Sequence, residues 1–226
     1  MSMDHFRPTL QPMDDARALP ETPRTRLGRR PARGSHERAV IDAILDEGLV
    51  CHLAFTDEHG ACLVPTAYAR DGDAVLLHGS PRARWLCTPE LPVCLCVTLV
   101  DGLVLARSAM HHSMNYRAVV LFGALQPVLD PAAKAAALRT IVEHLVPGRS
   151  DSIRSASASE LAATAVARLP ITEGSAKVRT GGPLDDQREP PSSAWTGVLP
   201  LSLQPGAVDD EAPAHVRTWS RGPRLR

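Results

Sequence analysis

The sequence predicts a mainly β (α+β) protein, a six-stranded antiparallel meander or small barrel with flanking helices. Between residues 49 and 128, apolar runs rich in Val, Leu, Cys and Thr follow one another at strand length. Turn residues separate these runs, notably Glu58-His59-Gly60, Asp71-Gly72-Asp73 and Asp101-Gly102, where glycine admits positive φ. On either side of this region the apolar residues recur at helical spacing.

Residues 1–33 hold Pro8, Pro12, Pro20, Pro23 and Pro31 among charges, a composition that cannot offset its ordering entropy by burial. They are expected to form a flexible Pro- and Arg-rich arm, with the domain running over 34–203. Ser35 caps a helix over 36–47, in which Val40, Ile41, Ile44 and Leu45 share a face and Gly48 stops the run. Strands are expected over 49–55, 61–69, 74–78, 93–100, 103–109 and 116–128. A short helical segment over 81–87 opens on Pro81. Asp130 caps a long helix over 132–145 with Pro131 at its first position, and Ala135, Leu138, Ile141, Val142 and Leu145 line one face. A second helix over 158–169, a strand over 171–178 and a last run over 195–201 follow. Residues 204–226 read as a disordered tail.

Among 226 residues, Lys plus Arg and Asp plus Glu each number 25, so no net field draws the chain to nucleic acid or to an anionic membrane. The five cysteines are odd in number and lie mostly in apolar runs, without the spacing of a secreted disulfide framework. The N-terminus has no apolar signal region, and eighteen apolar residues never run together. A reducing, cytoplasmic location is expected, with no membrane span.

Four stretches carry hydrogen-bonding groups in places that suit a ligand. In Leu77-His78-Gly79-Ser80-Pro81-Arg82-Ala83-Arg84 a strand ends and a helix begins. Free N–H groups, a hydroxyl and arginines there suit a phosphate, and the same residues also describe a capped strand-to-helix corner. The run from Arg107 to Arg117, with His111, His112, Ser113, Asn115 and Tyr116, lies between apolar strands and suits a polar heteroaromatic ligand. Adjacent histidines in a strand point opposite ways and lack further ligands at metal spacing, so no metal site is expected. Lys177 and Arg179 share a strand face near Gly181-Gly182, as an anion site or as a solvated edge. Trp195 covers a ring system or seals the core. Cys94 and Cys96 share one face of a strand and read as core thiols rather than a redox pair. No nucleophile elbow, Walker loop or dinucleotide-binding glycine run is present.

Taken in order, these stretches resemble the FMN-binding split-barrel family related to pyridoxamine 5′-phosphate oxidase, in its flavin-nucleotide-binding and nitroimidazole-reductase-like branch. The resemblance covers residues 30–201 and is carried by Val64-Pro65-Thr66-Ala67-Tyr68, Asp71-Gly72-Asp73, Leu77-His78-Gly79-Ser80 with Arg84, the run from Asp101 to Arg117, the run from Ser175 to Gly181, and Trp195. It implies a six-stranded antiparallel split β-barrel that forms a homodimer and holds FMN at the interface. On that resemblance Val64, Pro65, Thr66, Ala67, Tyr68, Leu77, His78, Gly79 and Ser80 line the flavin. Ser80 and Arg84 hold its phosphate, with Ser113, Asn115, Tyr116 and Arg117 nearby, and Lys177, Arg179 and Trp195 approach from the partner. Ala118 stands where the branch has serine, and Met110 where it has phenylalanine, which removes a hydroxyl and a rigid ring. The resemblance does not extend to the residues that recognise pyridoxamine phosphate, so vitamin B6 oxidation is not expected.

The function this implies is an FMN-dependent oxidoreductase in which NAD(P)H reduces the flavin and a small molecule takes the electrons. The flavin carries the chemistry, which agrees with the lack of a catalytic triad. The alternatives are a haem-binding or haem-degrading split barrel with His111 or His112 on the iron, and a non-catalytic flavin carrier or sensor.

Overall fold

The computed structural model describes residues 18–184 and 193–220. In chain order its elements are β1 (Gly34–Ser35), α1 (Arg38–Glu47), β2 (Val50–Asp57), β3 (Gly60–Asp71), β4 (Ala74–Gly79), α2 (Arg84–Cys87), β5 (Leu91–Leu105), β6 (Ser113–Pro127), α3 (Pro131–Leu145), α4 (Ala158–Ala162), β7 (Ala165–Pro170), β8 (Glu173–Arg179), β9 (Gly197–Pro200) and α5 (Ala214–Arg217).

Every strand pair is antiparallel, and the pairings close a ring: β6 with β7, β7 with β4, β4 with β3, β3 with β2, β2 with β5, and β5 back to β6. The β6–β7 contact is short, only Gln126–Arg168 and Pro127–Ala167. β8 and β1 extend the sheet beyond β6, and β9 extends it beyond β5. The barrel interior is a cluster that includes Cys51, Leu53, Tyr68, Leu77, Leu95, Val97, Val119, Leu121 and Leu169, with Ile41, Ile44 and Leu45 of α1. A second, smaller cluster of Ala69, Leu76 and Val166 sits under Ala137 and Ile141 of α3. β4 and β7 lie between the two clusters, so both their faces are buried.

The long helix follows its sequence signals, with Asp130 Oδ1 accepting from the Ala133 N–H at 2.8 Å and Pro131 at its start. Three expected elements differ. The runs over 93–100 and 103–109 are one strand, because Asp101-Gly102 forms a β-bulge rather than a hairpin turn. Glycine is needed there for close approach: a Cβ on Gly102 would lie 3.0 Å from the Leu199 carbonyl oxygen of β9. The helix expected over 158–169 stops at Ala162, and Ala165–Pro170 is β7. Burial on two faces erased the alternation that marks a strand, leaving a run that reads equally well as a buried helix. Ser35 does not cap α1; its Oγ accepts from the Glu37 N–H at 3.1 Å, and Glu37 takes the N-cap position.

The packed part of the chain also reaches further back than residue 34. Ala18 bridges to Glu37, the Leu19 N–H donates to the His36 carbonyl at 2.8 Å, and Leu19 is buried in the main core. Arg24 pairs with Glu173 of β8 and places its guanidinium 4.7 Å from the Phe122 ring centre. The arm expected over 1–33 therefore has a packed portion from residue 18 onward, which its proline content concealed. Past residue 204, Trp219 Nε1 donates to the Leu145 carbonyl at 2.9 Å, so α5 docks on the end of α3.

Two polar contacts hold the C-terminal end of α1, one from β3 of the barrel and one from α3. Tyr68 Oη donates to the Leu45 carbonyl at 2.7 Å, and His144 Nε2 donates to the Gly48 carbonyl at 2.7 Å. Both satisfy carbonyls at a helix end that would otherwise lack partners. If the segment from residue 18 is part of the domain, Leu19→Ala destabilises the protein by about 2 kcal/mol in urea unfolding, the ordinary cost of truncating a buried leucine. An unchanged midpoint would show that this segment only rests on the surface.

Candidate functional site

Alternation along the barrel strands separates an inner from an outer face. On β2, β5 and β6 the buried side chains include Cys51, Leu53, Val93, Leu95, Val97, Val119 and Leu121. The opposite side chains form rows across the sheet. Leu63, Ala54, Cys94 and Phe122 make one; Pro65, His52, Cys96 and Val120 make the next; beyond them lie Ala67 with Val50 and Thr98 with Ala118. None of these positions carries a Lys, Arg, Asp or Glu, and Leu63 and Val50 are 64% and 49% exposed. The outer face is thus uncharged and mostly apolar, with Ala54, Ala67 and Ala118 as its smallest side chains.

The bulge at Asp101 extends this face. Val100 pairs with Tyr116 on the outer side, but one residue is skipped before Gly102 pairs with Asn115. Leu103 and Met114 therefore point outward, and Leu199 of β9 joins them in one row. Without the extra residue, Leu103 would turn to the opposite side.

The sequence-predicted residues divide between the two faces. Tyr68 and Leu77 are fully buried core side chains and cannot line a ligand on the outside. Val64 and Thr66 pair with the inward-facing Leu53 and Cys51, so they follow the inner side. Pro65 and Ala67 are on the outer face. Tyr68 pairs with Leu77, so their chain neighbours Ala67 and His78 emerge together on the opposite side. His78 is half-buried, burial pushes its imidazole pKa down, and its Nδ1 has no hydrogen-bond partner among the described residues. Gly79 and Ser80 end β4, where the Ser80 hydroxyl accepts from the Arg82 N–H at 3.2 Å. Arg84 is largely exposed and pairs with Glu58 at 3.1 Å across the corner.

A second group lies along β6 and β8. Tyr116 is paired in register with Arg179, and Ala118 with Lys177. Arg179 is buried; it donates to the Asn115 side chain and to the Gly181 and Gly182 carbonyls at 3.3 and 3.2 Å, and burial lowers its pKa. Lys177 Nζ reaches the Arg29 carbonyl at 3.4 Å, and Ser113 is exposed at the start of β6. Trp195 is exposed, its ring lying against Gly197. Along the sheet, three strand spacings, about 15 Å, separate the β6 members of this group from Pro65 and Ala67, and Lys177 and Arg179 on β8 lie one spacing further.

Arg117 belongs to neither group. Its guanidinium donates to both carboxylate oxygens of Glu47, at 2.5 and 2.8 Å, and to both of Asp101, at 2.9 and 2.7 Å. The Glu47 hydrogen bonds, then those of Asp101, hold its pKa above the ordinary arginine value. It is a structural clamp between α1 and the bulge, with four of its five N–H donors committed to the two carboxylates.

Sequence reasoning missed Val50, His52 and Leu63, which form the centre of the outer face. The signal was present in β2, where Cys51 and Leu53 alternate with Val50 and His52. Cys94 and Cys96, expected as core thiols, lie on this outer face; the core thiol is Cys51, whose pKa burial pushes up to about 12.

Residues 37–178 match the pyridoxamine 5′-phosphate oxidase family, and the chain belongs to it. Among solved structures it is similar to the flavocytochrome Anf3 from Azotobacter vinelandii, at 36% identity and a TM-score of 0.81, covering 89% of this chain and 98% of that one. It is also similar to the FAD and heme binding protein from Mycobacterium smegmatis, at 30% identity and a TM-score of 0.76, covering 84% and 98%. A protein assigned to 5-nitroimidazole antibiotic resistance from Bacteroides thetaiotaomicron shares the fold, at 21% identity and a TM-score of 0.54 over 64% of this chain and 86% of that one. A comparison with curated proteins gave no match. Among the described residues, no helix is long and apolar enough to cross a membrane.

Replacing Arg117 by Met leaves the Glu47 and Asp101 carboxylates facing each other with no counter-charge. Chemical denaturation is expected to show a loss of about 3 kcal/mol. A loss below 0.5 kcal/mol would mean that the clamp is solvated and that Arg117 is available for another role.

Proposed function

We propose that this chain is a flavin-dependent oxidoreductase that holds a flavin nucleotide, FMN on the sequence reading, between the outer faces of two copies. The observation that carries the proposal is the outer face itself. An uncharged sheet surface with Ala54, Ala67 and Ala118 in its rows offers an apolar floor with room for an isoalloxazine ring. At its edge the Ser80 hydroxyl and the Arg82 and Arg84 guanidinium groups supply the donors that a phosphate monoester needs. The relatives named for a flavin support the same class of ligand.

A bound flavin supplies two-electron chemistry between a nicotinamide donor such as NAD(P)H and a small-molecule acceptor. The protein's part is to bind the ring, exclude water from one side of it and leave the other side open. Burial of His78 favours its neutral form, which suits a hydrogen bond to an uncharged ring edge. In a two-fold pair, Lys177 and Trp195 of one copy approach the ring held by the other, while Arg179, buried on Asn115 and the Gly181 and Gly182 carbonyls, shapes the strand end from within. Each isologous contact then occurs twice, giving two equivalent sites.

A second reading adds haem to the flavin. It is favoured because two relatives at 30% identity or more are named for it, one as a flavocytochrome and one as a FAD and heme binding protein.

Titration of the purified chain with FMN and separately with FAD, followed by flavin fluorescence and absorbance, tests the flavin reading. Saturable binding is expected, with NAD(P)H bleaching the bound flavin faster than free flavin. Val50→Asp, which places a charge on the floor, is expected to weaken binding at least tenfold. Absence of binding by both nucleotides overturns the proposal, and binding without accelerated bleaching reduces it to a flavin carrier.

A further inference from the structure

We propose that Arg29, Arg30, Arg33 and Lys177 bind the 2′-phosphate of the nicotinamide donor, so that NADPH is taken in preference to NADH; this rests on the flavin reading above. The segment ahead of β1 gathers the cluster. Leu27 folds back on Gly34, where a Cβ would collide with the leucine side chain. Arg30 takes the left-handed conformation at φ 57°, Pro31 follows it, and the Arg33 N–H donates to the Arg30 carbonyl at 3.0 Å. Arg30 and Arg33 therefore share one tight turn. Gly34 pairs with Lys177 across β1 and β8, and Lys177 Nζ donates to the Arg29 carbonyl at 3.4 Å. Burial first, and then the charge of Arg33, lowers the pKa of Arg179, so the field of Arg33 reaches the strand end.

None of the four proposed ligands makes an ion pair among the described residues. The acids of the same region are bound elsewhere, Glu21 by Arg26 at 2.6 Å and Glu173 by Arg24 and Thr22. Glu37, exposed at the start of α1, pairs with none of them. Four like charges without a counter-charge repel one another, and a dianionic phosphate relieves that repulsion. Arginine forks each give a phosphate two hydrogen bonds, and lysine adds a point charge. A site that prefers NADH offers a carboxylate to the ribose 2′-hydroxyl, and the same carboxylate would repel a 2′-phosphate. No carboxylate pairs with this cluster, so the chemistry favours the phosphorylated donor.

The location agrees. Lys177 is paired with Ala118, and Ala118 with Thr98, so the cluster stands at the β8 margin of the outer face. In the two-fold pair Lys177 comes beside the ring held by the other copy and brings the arginines with it. Ser80 and Arg84, at the end of β4, are given to the flavin's own phosphate, which makes the cluster a separate anion site.

The test is anaerobic reduction of the flavin-loaded full chain by NADPH and by NADH at increasing KCl, followed by flavin absorbance. NADPH is expected to half-saturate at a concentration at least about tenfold below NADH with a similar limiting rate, a gap that narrows as salt screens the cluster. Adenosine 2′,5′-bisphosphate is expected to inhibit at least about tenfold better than 5′-AMP. Arg30→Gln combined with Arg33→Gln is expected to raise the half-saturating NADPH concentration about tenfold, with the limiting rate, the flavin content and the NADH value retained. Arg26→Gln, which removes a paired arginine of the same segment, is expected to keep the wild-type preference. Equal half-saturation by the two donors, no reduction by either, or a double variant with the wild-type preference overturns the assignment and leaves flavin binding standing. A double variant that loses flavin instead of selectivity also overturns it and gives the cluster to the flavin's own phosphates. A chain that takes up no flavin but binds the 2′,5′-bisphosphate in calorimetry overturns the flavin reading and not the anion site.

Discussion

The structure depends on one constraint: four neighbouring barrel strands are apolar on both sides. A strand whose inner side chains fill a barrel ordinarily turns polar residues to water on the other side. Here Leu63, Pro65, Val50, Ala54, Val120 and Phe122 occupy the outward positions, and the exposed fraction of Val50 and Leu63 is too large for a surface meant to stay wet. Part of the face is already covered within the chain. The segment from residue 18 lies over Phe122 and β8, and α3 covers the sheet at Ala69, Leu76 and Val166. What remains open is the central stretch across β3, β2 and β5, where a second copy and a planar ligand would be bound together.

The bulge at Asp101 makes this face continuous. One skipped residue moves Leu103 to the side already held by Val100 and Tyr116, and the same kink places Asp101 where Arg117 can bind it together with Glu47. Packing, charge and register thus meet at a single position. A phosphate at Arg117 would have to displace two carboxylates, whereas at Ser80 and Arg84 it would displace only the solvated Glu58 contact.

Much of the fold was legible because local signals and tertiary packing agree. Asp130-Pro131 opens a helix, the Gly60 and Gly72 turns join strands at positive φ, and the alternation in β2 shows its two faces. The errors fall where a residue serves tertiary packing instead of local conformation. Gly102 looks like a turn residue but is small because β9 runs beside it. Residues 165–170 look helical because two cores bury both faces, and Leu19 is concealed among prolines although it reaches the barrel interior. For the site, motif order located the right strands but not which side of each strand faces outward. Tyr68 and Leu77 therefore belong to the core, while Val50 and His52, outside any motif, belong to the face.

The central claim is that this outer face is closed by a second copy of the chain. Light scattering coupled to size exclusion on the flavin-loaded protein tests it most directly. The account predicts a mass of about twice the 24.3 kDa chain. A particle of single-chain mass that still retains its flavin would contradict it, because one copy alone leaves the floor of the site open to water.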